Sequence, residues 1–195
     1  MKKLIILDFD GTIYNGDSML DFARFLNLKR YRFSFLVIAI PYALSLLNLI
    51  SRNKVKQLFI KTNFKDYSET ILNQKGVEFF KENKHKISPA FLDYIAVNSE
   101  NHTAIILSGS CQEWLLPFSE FLKLPLYSTQ LSYNADQLCL GNWKGKNIIG
   151  REKVELVKKK FNLKEFDEII AFGDSKSDKF LEEICTTFHF RYFLK

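Results

Sequence analysis

Three short, mainly apolar runs stand out along the chain, and each is followed at once by polar residues. They are LIIL at residues 4–7, TAIIL at 103–107 and EIIAF at 168–172. A short apolar run that ends at a polar break is typical of a strand buried on both faces of a parallel sheet. Patterns typical of helices separate the runs, which favours an α/β fold: a doubly wound, Rossmann-type parallel sheet with helices on both faces.

The polar residues after the first run form the sequence DFDGT. Residues i and i+2 of a strand point to the same side, so Asp8 and Asp10 should project together from the end of this strand. Gly11 lets the chain turn away, and Thr12 places a hydroxyl near both carboxylates. Two like charges this close need a cation, a proton or a catalytic role to compensate them. For this motif alone, an ordinary strand followed by an Asx turn is the alternative.

The other two runs end in SGS at residues 108–110 and GDSKSD at 173–178, and Lys153 opens a helix ahead of the third run. The carboxyl ends of the strands of a doubly wound sheet lie along one edge, so these motifs should converge on one site. Ser108, the backbone N–H groups after it and Lys153 suit a phosphoryl group. Hard oxygen ligands for Mg²⁺ would come from four acids: Asp8, Asp10, Asp174 and Asp178. Together these groups indicate phosphoryl transfer.

Helical periodicity fills most of the chain between the first two strands. It predicts helices over residues 18–28, 54–64, 68–84 and 89–100, with Asp17 or Ser18 capping the first. We therefore expect a helical block at 17–84, inserted after the first strand. The α/β core would then consist of residues 1–16 and 85–195.

The second half of the chain predicts further short elements. Helices are expected at 111–122, 153–163 and 179–187, a β-hairpin or pair of short strands within 126–143, and a last strand at 188–194. Pro117 should kink or end the first of these helices.

Residues 33–50, FSFLVIAIPYALSLLNLI, carry no charge and are flanked by basic residues. A run of this length is a candidate for a transmembrane helix. A single crossing would, however, place Asp8 and Asp174 on opposite sides of the membrane, so they could not share a site. Three alternatives stay open: a helix buried in the protein, two short helices broken at Pro41, or a segment that dips into one leaflet.

Composition limits the class of protein and of partner. The 195 residues are 47% hydrophobic and include 19 Phe, so the chain should fold around a real core. The net charge of +6 favours an anionic substrate or an anionic membrane surface, and no motif suggests nucleic-acid binding. Three widely spaced cysteines without metal-site spacing fit a reducing compartment. Without a secretory signal in the pattern, we expect a cytoplasmic protein, free or peripheral on the inner face of the membrane.

The order of these motifs resembles the haloacid dehalogenase superfamily of phosphatases. DFDGT, Ser108 after a strand, Lys153 at the start of a helix and GDSKSD correspond to its four ordered motifs over the whole chain. The resemblance implies that Asp8 is the nucleophile, which forms an aspartyl-phosphate, and that Asp10 is the general acid and base. Phosphoryl oxygens would be bound by Thr12, Ser108, Gly109 and Lys153. Magnesium would be held by Asp8, the Asp10 carbonyl and Asp174, with Asp178 direct or through water.

Within that superfamily, the helical block at 17–84 resembles the cap of the phosphoserine phosphatase-like branch, subfamily IB. Asp17 stands where phosphoserine phosphatases carry a glutamate, which argues against phosphoserine as substrate. Asp17, the apolar run, GREKV at 150–154 and the DSKSD form of the last motif are similar to the bacterial phosphatidylglycerophosphatase C group. That similarity implies that residues 33–50 dock at a bilayer, so that a lipid headgroup phosphate reaches Asp8.

We therefore expect a magnesium-dependent phosphomonoester hydrolase that acts on a lipid phosphate such as phosphatidylglycerophosphate. One alternative is a phosphatase of a small soluble phosphomonoester similar to phosphoserine. Others are a phosphotransferase that uses the same intermediate, and a membrane-interacting protein that keeps the fold without the activity. The expected partners are a phosphorylated small molecule or lipid headgroup and a membrane surface, with no nucleic acid.

Overall fold

The computed structural model describes residues 2–98 and 102–194. Its strands are β1 Lys3–Leu7, β2 His102–Cys111, β3 Leu126–Thr129, β4 Leu131–Tyr133, β5 Cys139–Trp143, β6 Glu168–Gly173 and β7 Thr187–Phe190. Five of them form one parallel sheet in the order β3-β2-β1-β6-β7, and β4 and β5 form a separate antiparallel pair. The three apolar runs are thus confirmed as the three central strands of a single sheet.

The helices are α1 Ser18–Leu26, α2 Leu28–Leu46, α3 Arg52–Phe64, α4 Glu69–Asn83, α5 Pro89–Asn98, α6 Gln112–Leu122 and α7 Arg151–Lys160. Short 3-10 segments lie at Lys84–Lys86, Leu163–Glu165 and Asp178–Glu183. Asp17 caps α1, as expected, by accepting a hydrogen bond from the backbone N–H of Leu20. Residues 99 and 100 of the predicted helix 89–100 lie outside the described residues.

Both faces of the sheet are covered, because alternate residues of each strand enter different apolar cores. Ile5 and Leu7 of β1 belong to a core shared with α1, α3, α4 and α6. Leu4 and Ile6 belong to a second core that includes Val154 of α7. This alternation is the expected consequence of the two-residue period of a strand. The predicted doubly wound α/β fold is therefore confirmed.

The chain after β6 differs from the prediction, since no α-helix spans 179–187. A 3-10 segment ends at Glu183, and the next residues turn into β7. Thr186 makes three hydrogen bonds to Ile169 of the neighbouring strand: its backbone N–H and its hydroxyl donate to the Ile169 carbonyl, and its hydroxyl accepts from the Ile169 N–H. This extended pairing competes with the helix. β7 is also shorter than predicted, because Arg191 turns the chain with a φ of +52°.

Two further local predictions need correction. Only the later part of 126–143 forms a hairpin, because β3 joins the edge of the main sheet and pairs in parallel with β2. Pro117 does not end α6, which continues to Leu122. Pro117 is buried, so packing offsets the loss of one helical hydrogen bond.

The apolar segment 33–50 is not buried and not broken at Pro41. The helix α2 runs from Leu28 to Leu46 through the proline, and much of its apolar surface is exposed. The helical hydrogen bond that Pro41 removes is a local loss, and the helix continues on both sides of it. In the part of the chain that the structure describes, no helix is both long enough and apolar enough to cross a membrane.

Candidate active site

The ends of the central strands bring the predicted acids together. Asp8 directly follows β1 and Asp174 directly follows β6, and these two strands are neighbours in register, with Leu7 opposite Phe172. Carboxylate oxygens of Asp8, Asp174 and Asp178 all lie within 4.8 Å of one another. The predicted convergence of motifs separated by more than 160 residues is thus a consequence of parallel pairing.

Lys153 is buried at the centre of this cluster, with 2% of its surface exposed. Its ammonium Nζ donates to Asp8 Oδ1 at 2.5 Å and to Asp178 Oδ1 at 2.6 Å. Burial alone would lower the pKa of Lys153, but the two carboxylates outweigh it and hold that pKa above its usual range. The lysine therefore stays charged and bridges two acids from different motifs.

The two acids on either side of Lys153 differ in their surroundings. Burial raises the pKa of Asp8 to about 7, against the opposing charge of Lys153. Asp178 is also buried, yet Lys153 and Ser175 hold its pKa below the usual value. Its Oδ2 accepts hydrogen bonds from the Ser175 N–H at 3.0 Å and hydroxyl at 2.5 Å. Both oxygens of Asp178 are engaged, so this residue fixes the position of Lys153.

Asp10 is held by groups from two other elements. Its Oδ1 accepts from the Ser18 backbone N–H at 2.7 Å, and its Oδ2 accepts from the Ser110 hydroxyl at 2.5 Å. Burial, followed by the nearby charge of Asp17, raises the pKa of Asp10 to about 6, while the two serines oppose this rise. The carboxylate is therefore fixed between the start of α1 and the end of β2.

Two polar groups of the site have no hydrogen-bond partner within the described ranges 2–98 and 102–194. They are the buried hydroxyl of Thr12 and the carboxylate of Asp174. The Asp174 carboxylate lies against Gly11, whose φ is +70° and where a Cβ would come within 2.2 Å of Asp174 Oδ2. Only glycine allows this approach. Ser108, also buried, accepts a hydrogen bond from the Ser110 N–H at 3.0 Å.

The donor set of this cluster fits a magnesium ion. Asp8, Asp174 and Asp178 offer carboxylate oxygens, the ligands that Mg²⁺ prefers, and their cluster contains no thiol or imidazole. Burial and the nearby charge of Asp178 raise the pKa of Asp174, as expected for acids crowded together. A divalent cation would relieve this repulsion.

Three residues make contacts at the site that were not anticipated from the sequence. Ser110 and Ser18 bond to Asp10, and Lys56 of α3 donates from Nζ to the Gly109 carbonyl at 2.7 Å and to Asn147 Oδ1 at 3.3 Å. The sequence could have indicated Ser110 as a site residue, because residues 108 and 110 point to the same side of a strand. Nothing in the sequence links Lys56 to Gly109, which is 53 residues away.

The site thus consists of acids and a buried lysine at the carboxyl edge of a parallel α/β sheet, and sequence comparison identifies the family. Residues 5–180 match the haloacid dehalogenase-like hydrolase family. The chain belongs to this family, which confirms the predicted superfamily and the prediction of an enzyme. A search of curated proteins found no match.

Solved structures share the fold at low sequence identity. A protein of unknown function from Bordetella pertussis Tohama I is similar with a TM-score of 0.81 and 17% identity, over 96% of this chain and 89% of that one. A substrate-bound phosphoserine phosphatase is similar with a TM-score of 0.71 and 16% identity, over 96% of this chain and 85% of that one. A phosphoserine phosphohydrolase-like protein from Francisella tularensis subsp. tularensis SCHU S4 has a TM-score of 0.69 and 20% identity, over 96% of this chain and 86% of that one. The fold is thus that of the predicted phosphoserine phosphatase-like branch.

The buried charges lead to a prediction about stability. Lys153→Met removes the counter-charge of Asp8 and Asp178 but keeps an unbranched chain. We expect the free energy of unfolding to fall by about 3–5 kcal/mol, measured by urea denaturation at neutral pH without divalent cations. The matched control Lys158→Met, exposed on the same helix, should change it by no more than about 0.5 kcal/mol.

A second variant separates charge from packing in this experiment. Adding Asp8→Asn to Lys153→Met should recover part of the lost stability, because one uncompensated buried charge is removed. If the double variant is no more stable than Lys153→Met alone, the role given to the charges is wrong.

Proposed function

We propose that this protein is a magnesium-dependent phosphomonoester hydrolase that works through an aspartyl-phosphate on Asp8. The observation that carries the proposal is the arrangement of the Asp8 carboxylate. Its Oδ1 is fixed by Lys153, while Oδ2 accepts no hydrogen bond from the residues described. A carboxylate held at one oxygen and free at the other is positioned to attack a phosphorus atom.

In the first step, Asp8 Oδ2 attacks phosphorus and forms the acyl phosphate as the ester P–O bond breaks. The electron pair of that bond leaves with the substrate oxygen, which takes a proton from Asp10. Burial raises the pKa of Asp10 to about 6, so that this group can both hold and release a proton near neutral pH. Hydrogen bonds from Ser18 and Ser110 keep its carboxyl group in place for the transfer.

In the second step, Asp10 removes a proton from a water molecule, which attacks the phosphorus of the acyl phosphate. The bond between phosphorus and Asp8 breaks, inorganic phosphate leaves and the Asp8 carboxylate is restored. We assign the phosphoryl oxygens to the Lys153 ammonium, the hydroxyls of Thr12 and Ser108 and the Gly109 N–H. The unpartnered hydroxyl of Thr12 supports this assignment.

Asp8, Asp174 and the Asp10 backbone carbonyl would hold Mg²⁺, with Asp178 contributing directly or through water. When bound, the ion offsets the charges of the carboxylates and of the phosphoryl group. The free carboxylate of Asp174 supports its role as a ligand. Asp178 is better supported as the residue that positions Lys153, since both its oxygens are already engaged.

We further propose that the helical block at 17–84 is a cap on a core made of 1–16 and 85–195. Two contacts support this division. Ser18 at the start of α1 bonds to Asp10, and Lys56 of α3 bonds to Gly109, so both ends of the site touch the block. A cap in this position excludes water and contacts the leaving group.

The proposed substrate is a lipid phosphate such as phosphatidylglycerophosphate. Asp17 and the exposed apolar surface of α2 support a lipid over an amino-acid phosphate. A small soluble phosphomonoester is the second candidate, and the shared fold with phosphoserine phosphatases favours it. Transfer of the phosphoryl group to an alcohol instead of water would use the same intermediate.

The nucleophile assignment predicts the effect of Asp8→Asn. Phosphate release from p-nitrophenyl phosphate with Mg²⁺ should fall by more than about 1000-fold, because the amide does not form the acyl phosphate. Circular dichroism should show an unchanged fold. Asp136→Asn, a matched change in an exposed turn, should leave turnover intact. Retained activity of Asp8→Asn would remove the nucleophile assignment.

The substrate assignment predicts a preference for a lipid phosphate. Phosphate release from phosphatidylglycerophosphate in mixed micelles should have a higher kcat/KM than release from soluble esters, phosphoserine included, with Asp8→Asn as the blank. Omitting Mg²⁺ should abolish both activities. A preference for phosphoserine would contradict the lipid assignment while leaving the proposed hydrolase in place.

A further inference from the structure

The outer side of α2 and the turn after it carry large apolar residues that are mostly exposed. We call them the apolar face: Phe33, Leu36, Ile40, Leu47 and Leu49. Leu36, Ile40 and Leu47 are 76%, 74% and 69% exposed. The spacing of 33, 36, 40 and 47 places these positions on one side of a helix. Single exposed apolar residues are common, but a group of this kind marks an interaction surface.

The opposite side of α2 already packs against the protein. Ser34 and Ser45 are buried there, and their hydroxyls donate to the carbonyls of Tyr31 and Tyr42 within the same helix. Tyr31 and Ile38 pack against the main apolar core. The helix is therefore held against the protein by its inner side. The apolar face points outward and is not a part of the core that has become exposed.

Charge is distributed unevenly around this face. Residues 22–65 contain nine basic residues and no acidic residue, although the whole chain has a net charge of only +6, so the remainder is net negative. Exposed members of the set lie before and after the uncharged part of α2: Lys29, Arg32, Arg52 and Lys54. An apolar surface with a cationic border complements an anionic membrane surface.

A groove beside the apolar face combines the same two properties. Pro41, Ile50 and Leu58 form apolar walls, and Lys54 and Lys61 line the same cavity of about 440 Å³. This chemistry suits an anionic headgroup together with the start of its acyl chains.

We propose that α2 and the turn to α3, residues 28–54, dock on the surface of an anionic bilayer. The apolar face enters the headgroup region, and the basic residues at its borders contact lipid phosphates. This binding goes beyond the proposed hydrolase, because it requires neither turnover nor magnesium. A second copy of the chain is a poorer partner, since a symmetric interface would place two basic segments against each other.

The strands on either side of this segment limit it to the surface. Leu7 of β1 and Ile106 of β2 are paired in one sheet, although α2 lies between them in sequence. A single crossing by α2 would place the two strands on opposite sides of the bilayer. The helix must therefore lie along the membrane surface, with the rest of the protein on the aqueous side.

The test is flotation of the full-length protein with vesicles of phosphatidylcholine, with and without phosphatidylglycerol, in the absence of substrate and Mg²⁺. We expect binding that requires phosphatidylglycerol and weakens as salt is added. The double variant Leu36→Gln and Ile40→Gln should bind at least about tenfold more weakly. Val97→Gln, at an 82% exposed apolar position on α5, is the matched control and should bind like the wild type.

A second pair of variants tests the charges. Arg52→Gln with Lys54→Gln should weaken vesicle binding roughly fivefold for each residue removed, whereas Lys158→Gln with Lys159→Gln on α7 should not. Thermal unfolding of every variant confirms that the fold is retained. The Asp8→Asn variant should bind vesicles like the wild type. The experiment therefore distinguishes a loss of catalysis from a loss of docking.

Three results would overturn the proposal. The first is no binding, or binding that does not depend on phosphatidylglycerol. The second is undiminished binding by the Leu36→Gln and Ile40→Gln variant. The third is a dimer that this variant abolishes, seen by sedimentation without vesicles and in the absence of vesicle binding. That result would make the apolar face an interface between copies of the chain.

Discussion

The site depends on one buried ammonium group that holds two carboxylates. Lys153 lies between Asp8 and Asp178, and none of these three charges is well solvated. Bringing such charges out of water is unfavourable unless each finds its partner at short distance. The arrangement therefore fixes the start of α7 and the loop after β6 relative to the end of β1, and it leaves one oxygen of Asp8 free.

The helical block contributes to this site from one side and presents a different surface on the other. Through Ser18 it contacts Asp10, the proposed acid–base residue, and through Lys56 it contacts Gly109 near the end of β2. Its outer helix α2 exposes apolar residues between clusters of basic ones. If this surface rests on anionic lipid, the same block would select where the enzyme works and which leaving group reaches Asp8.

The sequence predicted those parts of the fold that depend on short-range patterns. Buried strands show as apolar runs, and parallel pairing then forces Asp8 and Asp174 together, so the acid cluster followed from topology. The sequence did not predict that α2 is exposed, because an apolar helix has the same sequence pattern whether protein or another surface covers it. The contact of Lys56 with Gly109 depends on how α3 packs, and the pairing of Thr186 with β6 overrode a local helical pattern.

The most direct test of the account is the chemical location of the phosphoryl group during turnover. The Asp10→Asn variant would be incubated with Mg²⁺ and p-nitrophenyl phosphate, whose leaving group departs without a proton from Asp10, then quenched in acid and digested for mass spectrometry. Removing the proposed general base should slow hydrolysis of the proposed intermediate, so the account predicts one phosphoryl group on the peptide that contains Asp8. A phosphoryl group on another residue, or phosphate release without any adduct, would contradict it.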